Sequence, residues 1–155
     1  MPGPLRYWED YNVGEVYPLG SRIVSEAEII DFARQFDPQP FHIDHAAADK
    51  SMFGGLIASG WHSGSILMRL MVDHYLNPET SLGSPGLEEV RWPKPLRPGD
   101  TVTGEMRVLD KRESRSKPSL GLVVNEGSLR NQRGEVVISV RATQMVRRAR
   151  PGLPA

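Results

Sequence analysis

The sequence contains no cysteine in its 155 residues. Disulfide bonds, thiolate nucleophiles and cysteine-ligated zinc or iron–sulfur sites are therefore excluded. The chain also lacks the G-x-S-x-G motif of serine hydrolases, the P-loop and the G-x-G-x-x-G fingerprint of dinucleotide-binding proteins. The sequence therefore does not indicate cysteine-based catalysis, a serine hydrolase of the G-x-S-x-G type or either of these nucleotide-binding folds.

An excess of charge and long apolar runs are missing as well. Nineteen basic residues balance nineteen acidic ones, so no net field attracts nucleic acid or an anionic membrane. No run of about eighteen uncharged apolar residues occurs, and the first residues lack the apolar core of a signal peptide. We therefore expect a cytoplasmic protein of one domain, without nucleic-acid or membrane partners.

The distribution of apolar residues predicts an α+β fold. A capping box formed by Ser25 and Glu28 marks the start of a first helix, and a long helix from Ser59 to Leu76 is apolar around most of its circumference. An antiparallel sheet that curls around this helix would enclose it. The predicted elements are strands at 16–24, 87–92, 101–109, 120–130 and 136–146, and helices at 26–36, 45–50 and 59–76.

The same pattern divides the chain into three parts. Residues 1–14, rich in proline, glycine and aromatic side chains, are predicted to form an irregular lead-in. Residues 15–147 are predicted to form the single domain. Residues 148–155, with their arginines and prolines, are predicted to be a frayed and solvated tail.

The stretch FDPQPFHIDH, residues 36–45, combines a carboxylate and an imidazole with two prolines. Asp37 and His42 lie five positions apart, and Pro38 and Pro40 between them each fix their own φ. A carboxylate and an imidazole held at a fixed distance can share one water molecule and activate it. The structural alternative is a turn stabilised by the side chain of Asp37, with His42 hydrogen-bonded to the backbone.

Two further histidines are candidate members of a site. Asp44 and His45 follow His42 and would supply a carboxylate and a second imidazole to a metal ion. Neither a regular helix nor a regular strand brings these three side chains to one point, so we expect no metal site. His62, near the start of the long helix, either faces the same cavity as His42 or is a hydrogen-bonded interior residue.

The start of the long helix is a second candidate site. The first N–H groups of a helix have no partner within it, and the positive end of the helix dipole lies behind them. At Gly60 the missing side chain would let a substrate carbonyl approach such an N–H, which would stabilise a developing oxyanion. The alternative is that Gly60 and Gly64, four residues apart, serve only to pack the helix closely.

Three motifs together resemble the MaoC-like family of hotdog-fold dehydratases, which includes the (R)-specific enoyl-CoA hydratases. The family motif D-x-N-P-x-H corresponds to Asp37–His42, and the family motif F-x-x-x-I-x-H-G corresponds to Phe53–Gly60. The turn RPGD, Arg97–Asp100, follows in the family's order. The resemblance covers roughly residues 15–147.

The resemblance implies a hotdog domain that reversibly adds water across a 2-enoyl thioester to form an (R)-3-hydroxyacyl product. Asp37 would be the base that acts on water, and His42 would orient this water and exchange the proton at the α-carbon. Gly60, with Ser59 beside it, would bind the thioester oxygen. The substrate would be an acyl-CoA or acyl carrier protein thioester bound by a homodimer without cofactor or metal. Arg115 or Lys117 would meet the phosphates of CoA.

Three positions depart from the family pattern. Gln39 replaces the usual asparagine, Ser59 replaces a frequent histidine, and Met68 stands where some members carry a serine. These departures keep two alternatives open. The first is a hotdog thioesterase, in which Asp37 activates water against the thioester carbonyl. The second is a non-catalytic module that binds acyl thioesters.

Overall fold

The computed structural model describes residues 2–152, which form one five-stranded sheet and four α-helices. The sheet is antiparallel throughout and has the strand order β1-β3-β4-β5-β2. A 3-10 helix at Trp8–Asp10 precedes the first strand. The elements are β1 Val16–Ile23, α1 Glu26–Phe36, α2 Pro40–Ile43, α3 His45–Lys50, α4 Gly60–His74, β2 Leu87–Arg91, β3 Thr101–Glu113, β4 Leu120–Arg130 and β5 Val136–Arg147.

Helix α4 packs against the sheet, as the α+β prediction requires. Its side chains Ile66, Leu67 and Leu70 are buried in the core. Two strand glycines make room for these side chains, because a Cβ atom at Gly104 would lie 3.2 Å from Leu70 and one at Gly127 would lie 3.3 Å from Leu67. The prediction of an antiparallel sheet around a long helix is therefore confirmed. No helix within residues 2–152 is long and apolar enough to cross a membrane.

Helix α1 begins and ends where the sequence predicted. The Ser25 side chain accepts a hydrogen bond from the backbone N–H of Glu28, and the Glu28 side chain accepts one from the backbone N–H of Ser25. This capping box satisfies two donors that a helix start would otherwise leave unpaired. At the other end, Asp37 leaves the helical conformation with φ −151° and ψ 67°, because the following proline disfavours it. The end of α1 thus delivers Asp37 to the loop before α2.

The prediction that the long helix is enclosed on all sides is wrong for a single chain. One stripe of α4 faces outward, where Trp61 is 62%, Met68 51% and Val72 44% exposed. The sheet covers only the opposite face of the helix. An apolar stripe on the surface is a candidate contact surface for another molecule.

One strand end and the start of the predicted tail also differ from expectation. Strand β3 continues to Glu113 rather than ending near residue 109, because its charged last residues still pair with β4 through backbone hydrogen bonds. Arg148, which we expected in a frayed tail, is buried and forms ion pairs with Glu9 and Glu113. The ion pair with Glu9 holds Arg148 against the 3-10 helix. The end of the predicted tail, residues 153–155, lies outside the described residues.

We predict that Gly104→Ala destabilises the protein by about 1–3 kcal/mol. A Cβ atom at this position would lie 2.9 Å from the Cβ of Leu19, so the strand and the neighbouring core must shift. Gly64→Ala is the matched control: its Cβ has ordinary contact distance, 3.7 Å to Ile138, and alanine raises helix propensity. Urea denaturation of the three proteins measures the difference. Equal stability of Gly104→Ala and wild type would contradict the close packing described.

Candidate active site

The loop between α1 and α2 brings Asp37 and His42 side by side. The Oδ2 atom of Asp37 lies 3.2 Å from Nε2 of His42. Pro40 occupies the first position of the one-turn helix α2, where its fixed φ suits a helix start. The short helix α2 was not predicted, since the sequence indicated only a stiff turn. The single turn of α2 reverses the chain direction, so that His42 lies beside Asp37 at the end of α1.

The imidazole of His42 is buried, 4% exposed, and held from both sides. Its Nδ1 atom lies 2.7 Å from the carbonyl oxygen of Ile57. A carbonyl can only accept, so Nδ1 carries a proton and donates it. The other ring nitrogen, Nε2, faces Asp37 and carries a lone pair when the ring is neutral. Nε2 and the carboxylate therefore form a direct hydrogen bond only when one of them holds a proton.

The carboxylate of Asp37 is stabilised in its charged form. Partial burial by itself raises the pKa of Asp37, but hydrogen bonds from Gln39 and Ser59 and the nearby ring of His42 outweigh it. The net pKa therefore lies below the usual value for aspartate. The amide of Gln39 donates from Nε2 to Oδ1 of Asp37 over 2.7 Å. Gln39, which replaces the family's asparagine, thus still contacts the pair.

Ser59 connects this pair to the start of α4. The residue is fully buried and caps the helix, since its Oγ accepts a hydrogen bond of 3.3 Å from the backbone N–H of Trp61. The same side chain also lowers the pKa of Asp37, because it stabilises the charged carboxylate. The serine that replaces a histidine in the family pattern therefore acts on both the helix start and the dyad.

Gly60 opens α4 and lines the same cleft as Asp37 and His42. Its N–H has no acceptor among residues 2–152, as expected for the first donor of a helix. The space left by the absent side chain was predicted to admit a substrate carbonyl, but another group of the protein occupies it. A Cβ atom on Gly60 would lie 2.6 Å from the indole of Trp92, whose Nε1 donates to the Gly60 carbonyl over 2.9 Å. The space beside the glycine is therefore filled by Trp92.

The cleft that contains the pair has a volume of about 460 Å³. We call it the dyad cleft. Its walls combine apolar and polar groups, and Lys94 lies in its lining. The lining consists of Asp37, Gln39, Phe41, His42, Phe53, Ile57, Ala58, Gly60, Trp61, Ser63, Trp92, Pro93, Lys94, Pro95, Leu96 and Val137.

The structure does not bring Arg115 and Lys117 to this cleft within one chain. Both are exposed in the loop that joins β3 to β4. The cleft lies at the other end of the sheet, next to Leu96 and Val137, which precede β3 and begin β5. A strand as long as β3, 13 residues, spans about 40 Å. Their predicted contact with CoA phosphates stays a prediction.

The remaining histidines take part in other contacts. His45 pairs with Glu26 over 2.7 Å, and Asp44 caps α3 by accepting from the N–H of Ala47. Within the part of the chain that the structure describes, no three histidine, aspartate or glutamate side chains could hold a metal ion together. His62 is buried, stacks on Phe32 at 4.8 Å and does not line the dyad cleft.

Sequence reasoning missed two groups that shape the site. The carbonyl of Ile57 orients His42, and Trp92 covers Gly60. A backbone carbonyl leaves no trace in the residue type, so no sequence pattern indicated the first. Trp92 ends a predicted strand before two closely spaced prolines, and this was the available signal for a rigid wall beside the cleft.

Comparison with known proteins identifies the class. Residues 12–147 match the family described as "MaoC like domain", so the chain belongs to the MaoC-like dehydratase family, and its single domain has the hotdog fold. The crystal structure of the MaoC-like dehydratase from Rhodospirillum rubrum is 42% identical, with a TM-score of 0.88 over 95% of this chain and 99% of that one.

Two curated proteins are also similar to the chain. The uncharacterized protein YdeM of Bacillus subtilis is 29% identical over 90% of this chain and 98% of its own length. Mesaconyl-CoA hydratase of Cereibacter sphaeroides is 28% identical over 97% of this chain. The chain corresponds to only 43% of that hydratase, which is therefore a much longer protein.

We predict that Ser59→Ala raises the pKa of Asp37. The serine hydroxyl stabilises the charged carboxylate, and its loss favours the protonated form. Ser65→Ala is the matched control, because that hydroxyl is exposed and bonds only the Trp61 carbonyl. Titration of the Asp37 carboxyl carbon by NMR measures both variants. An Asp37 pKa that is unchanged or lower in Ser59→Ala would contradict the contact.

Proposed function

We propose that this protein is a hydro-lyase that reversibly adds water across the double bond of a 2-enoyl thioester. The observation that carries the proposal is the placement of three groups in one cleft. These are the carboxylate of Asp37, the Nε2 atom of His42 at 3.2 Å from it, and the unpaired N–H of Gly60. Hydration needs a base for water, a proton for C2 and a donor for the thioester oxygen, and these groups match those needs.

The reaction follows from the positions of these groups. A water molecule between Asp37 and His42 loses a proton to Asp37 as its oxygen bonds to C3 of the enoyl group. The electrons of the double bond move towards the thioester oxygen, where the N–H of Gly60 and the positive end of α4 stabilise the negative charge. The proton passes from Asp37 to the adjacent Nε2 of His42 and then to C2. The dyad ends in its starting state.

The environment of the dyad supports this cycle. The lowered pKa of Asp37 keeps it an available base at neutral pH, and the rate should fall as the pH drops through that pKa. The aromatic side chains of Phe41 and Phe53 line the cleft and give it an apolar wall. The (R) configuration of the product rests on the family resemblance.

We predict that Asp37→Asn and His42→Gln each lower kcat/KM for trans-2-butenoyl-CoA by about 10²–10⁴-fold. Each variant removes proton transfer and retains most of the side-chain volume. His45→Gln is the matched control, since His45 is exposed and pairs with Glu26 outside the cleft. Loss of the conjugated absorbance of the substrate measures the rate. Wild-type rates in both dyad variants would disprove the mechanism.

Two further measurements separate the alternatives. A thioesterase releases free CoA thiol, which a thiol reagent detects, while the double bond persists. A binding module is stabilised against heat by the thioester and turns over nothing. The placement of Asp37 and Gly60 suits thioester binding in a hydratase, a thioesterase and a binding module alike. The products formed therefore distinguish the three.

We further propose that the protein works as a homodimer on an acyl-CoA or acyl carrier protein thioester. Residues of the exposed stripe of α4 and of the edge strand β2 line one common cavity, and Leu87 on β2 is 54% exposed. An unpaired strand edge beside an apolar helix stripe is a surface that a second copy covers well. Trp61 and Trp92, which line the dyad cleft, are 62% and 44% exposed there.

We predict that Met68→Glu converts the dimer into a monomer, because it places a charge in the middle of the exposed stripe. Met68 is 51% exposed, so the folded chain itself tolerates the glutamate. Val13→Glu is the matched control, since Val13 is 58% exposed before β1 at the opposite edge of the sheet. Sedimentation equilibrium measures the mass. A monomeric wild type, or a Met68→Glu variant that stays dimeric, would contradict the proposed interface.

A further inference from the structure

A second cavity lies beside the dyad cleft. Its volume is about 360 Å³, and it extends along α4 between that helix and strands β2 and β5. We call it the tail cavity. Its lining is almost wholly apolar, with Leu67, Met71, Val90, Ile138 and Val140 among its walls. An apolar cavity of about 150 Å³ already holds a benzene molecule, so this one has room for several methylene groups.

Two side chains border both cavities. Trp61 and Trp92 line the dyad cleft and the tail cavity. On α4, Ser63 lines the dyad cleft and its neighbour Gly64 lines the tail cavity. The two tryptophans are therefore a wall that the two cavities share.

The position of Trp92 is well defined. Its indole packs edge-on against Trp61, with ring centroids 5.6 Å apart and an angle of 80° between the planes. Its Nε1 donates to the carbonyl of Gly60 over 2.9 Å, and its ring fills the space where a Gly60 side chain would lie. The ring therefore stands next to the N–H that binds the thioester oxygen in the proposed reaction.

We propose that Trp92, held against Trp61, is a specificity-determining residue that limits the length of the acyl chain. This inference rests on the proposed function. A short acyl chain attached to a thioester at Gly60 ends before the indole of Trp92. A longer chain would have to enter the tail cavity, and the two rings close that passage. The wild-type protein is accordingly selective for short 2-enoyl thioesters.

The chemistry of the tail cavity indicates a hydrocarbon tail as the group it would hold. The polar side chains in its lining are largely engaged with one another or with the core. Tyr75 donates to Oδ1 of Asn125 over 2.8 Å, and Nδ2 of Asn125 donates to Oε1 of Gln144 over 3.2 Å. These amides are committed within the protein, so the cavity favours methylene groups over a polar end group.

The test compares Trp92→Ala with wild type and with Trp92→Phe. The measured quantity is the ratio of kcat/KM for trans-2-decenoyl-CoA to kcat/KM for trans-2-butenoyl-CoA. Trp92→Ala opens the passage and should raise this ratio by at least about ten-fold, the gain that corresponds to burial of two methylene groups. Trp92→Phe is the matched control. It loses the hydrogen bond to Gly60 but keeps a ring in the passage, so its ratio should stay close to that of wild type.

A double variant shows whether the gain depends on the tail cavity. Val140→Phe fills that cavity, so Trp92→Ala combined with Val140→Phe should return the ratio to its wild-type value. If Trp92 were merely structural, activity towards both substrates would fall together in Trp92→Ala and the ratio would not move. An unchanged ratio in an active Trp92→Ala protein overturns the inference and leaves the proposed hydration intact.

Calorimetric binding of saturated thioesters separates this inference from the proposed reaction. Butyryl-CoA and decanoyl-CoA cannot be hydrated, so their affinities report the passage alone. If no enoyl thioester is turned over but Trp92→Ala alone gains affinity for decanoyl-CoA, the length limit stands and the hydratase proposal fails. If neither thioester binds to any of the proteins, both proposals are overturned.

Discussion

Ser59 joins the two halves of the site, because its side chain caps α4 and lowers the pKa of Asp37. Asp37 is the C-cap of α1, whereas Gly60 is the first residue of α4. One buried hydroxyl caps the second helix and stabilises the carboxylate that ends the first. The distance between the carboxylate of Asp37 and the N–H of Gly60 therefore depends on how α1 and α4 pack.

The sheet also decides which parts of α4 stay accessible. It covers the face that carries Leu67 and leaves the stripe that carries Met68 open. Because β2 is an edge strand, the sheet ends where this stripe begins. The dyad cleft, the tail cavity and the two tryptophans between them all lie along this unfinished side.

Local features of the site were accessible from residue patterns because they depend on neighbours in the chain. The capping box at Ser25, the helix end before Pro38 and the stiff segment that carries Asp37 all follow from backbone sterics over a few residues. Contacts between distant segments were not accessible. The Ile57 carbonyl reaches His42 across 15 positions, and Trp92 reaches Gly60 across 32. Arg148 was predicted to be solvated, but it pairs with Glu9 near the other end of the chain.

The sequence by itself determined the α+β layout, the proline-framed pair and the helix start at Gly60, since each is encoded in short-range periodicity and backbone preference. Only the tertiary structure decided that Ser59 supports the carboxylate, that Trp92 occupies the space beside Gly60, and that Arg115 and Lys117 lie far from the cleft of their own chain. Those relations depend on sheet register and helix packing, where burial and hydrogen bonding are shared among segments remote in sequence, and no local pattern records them.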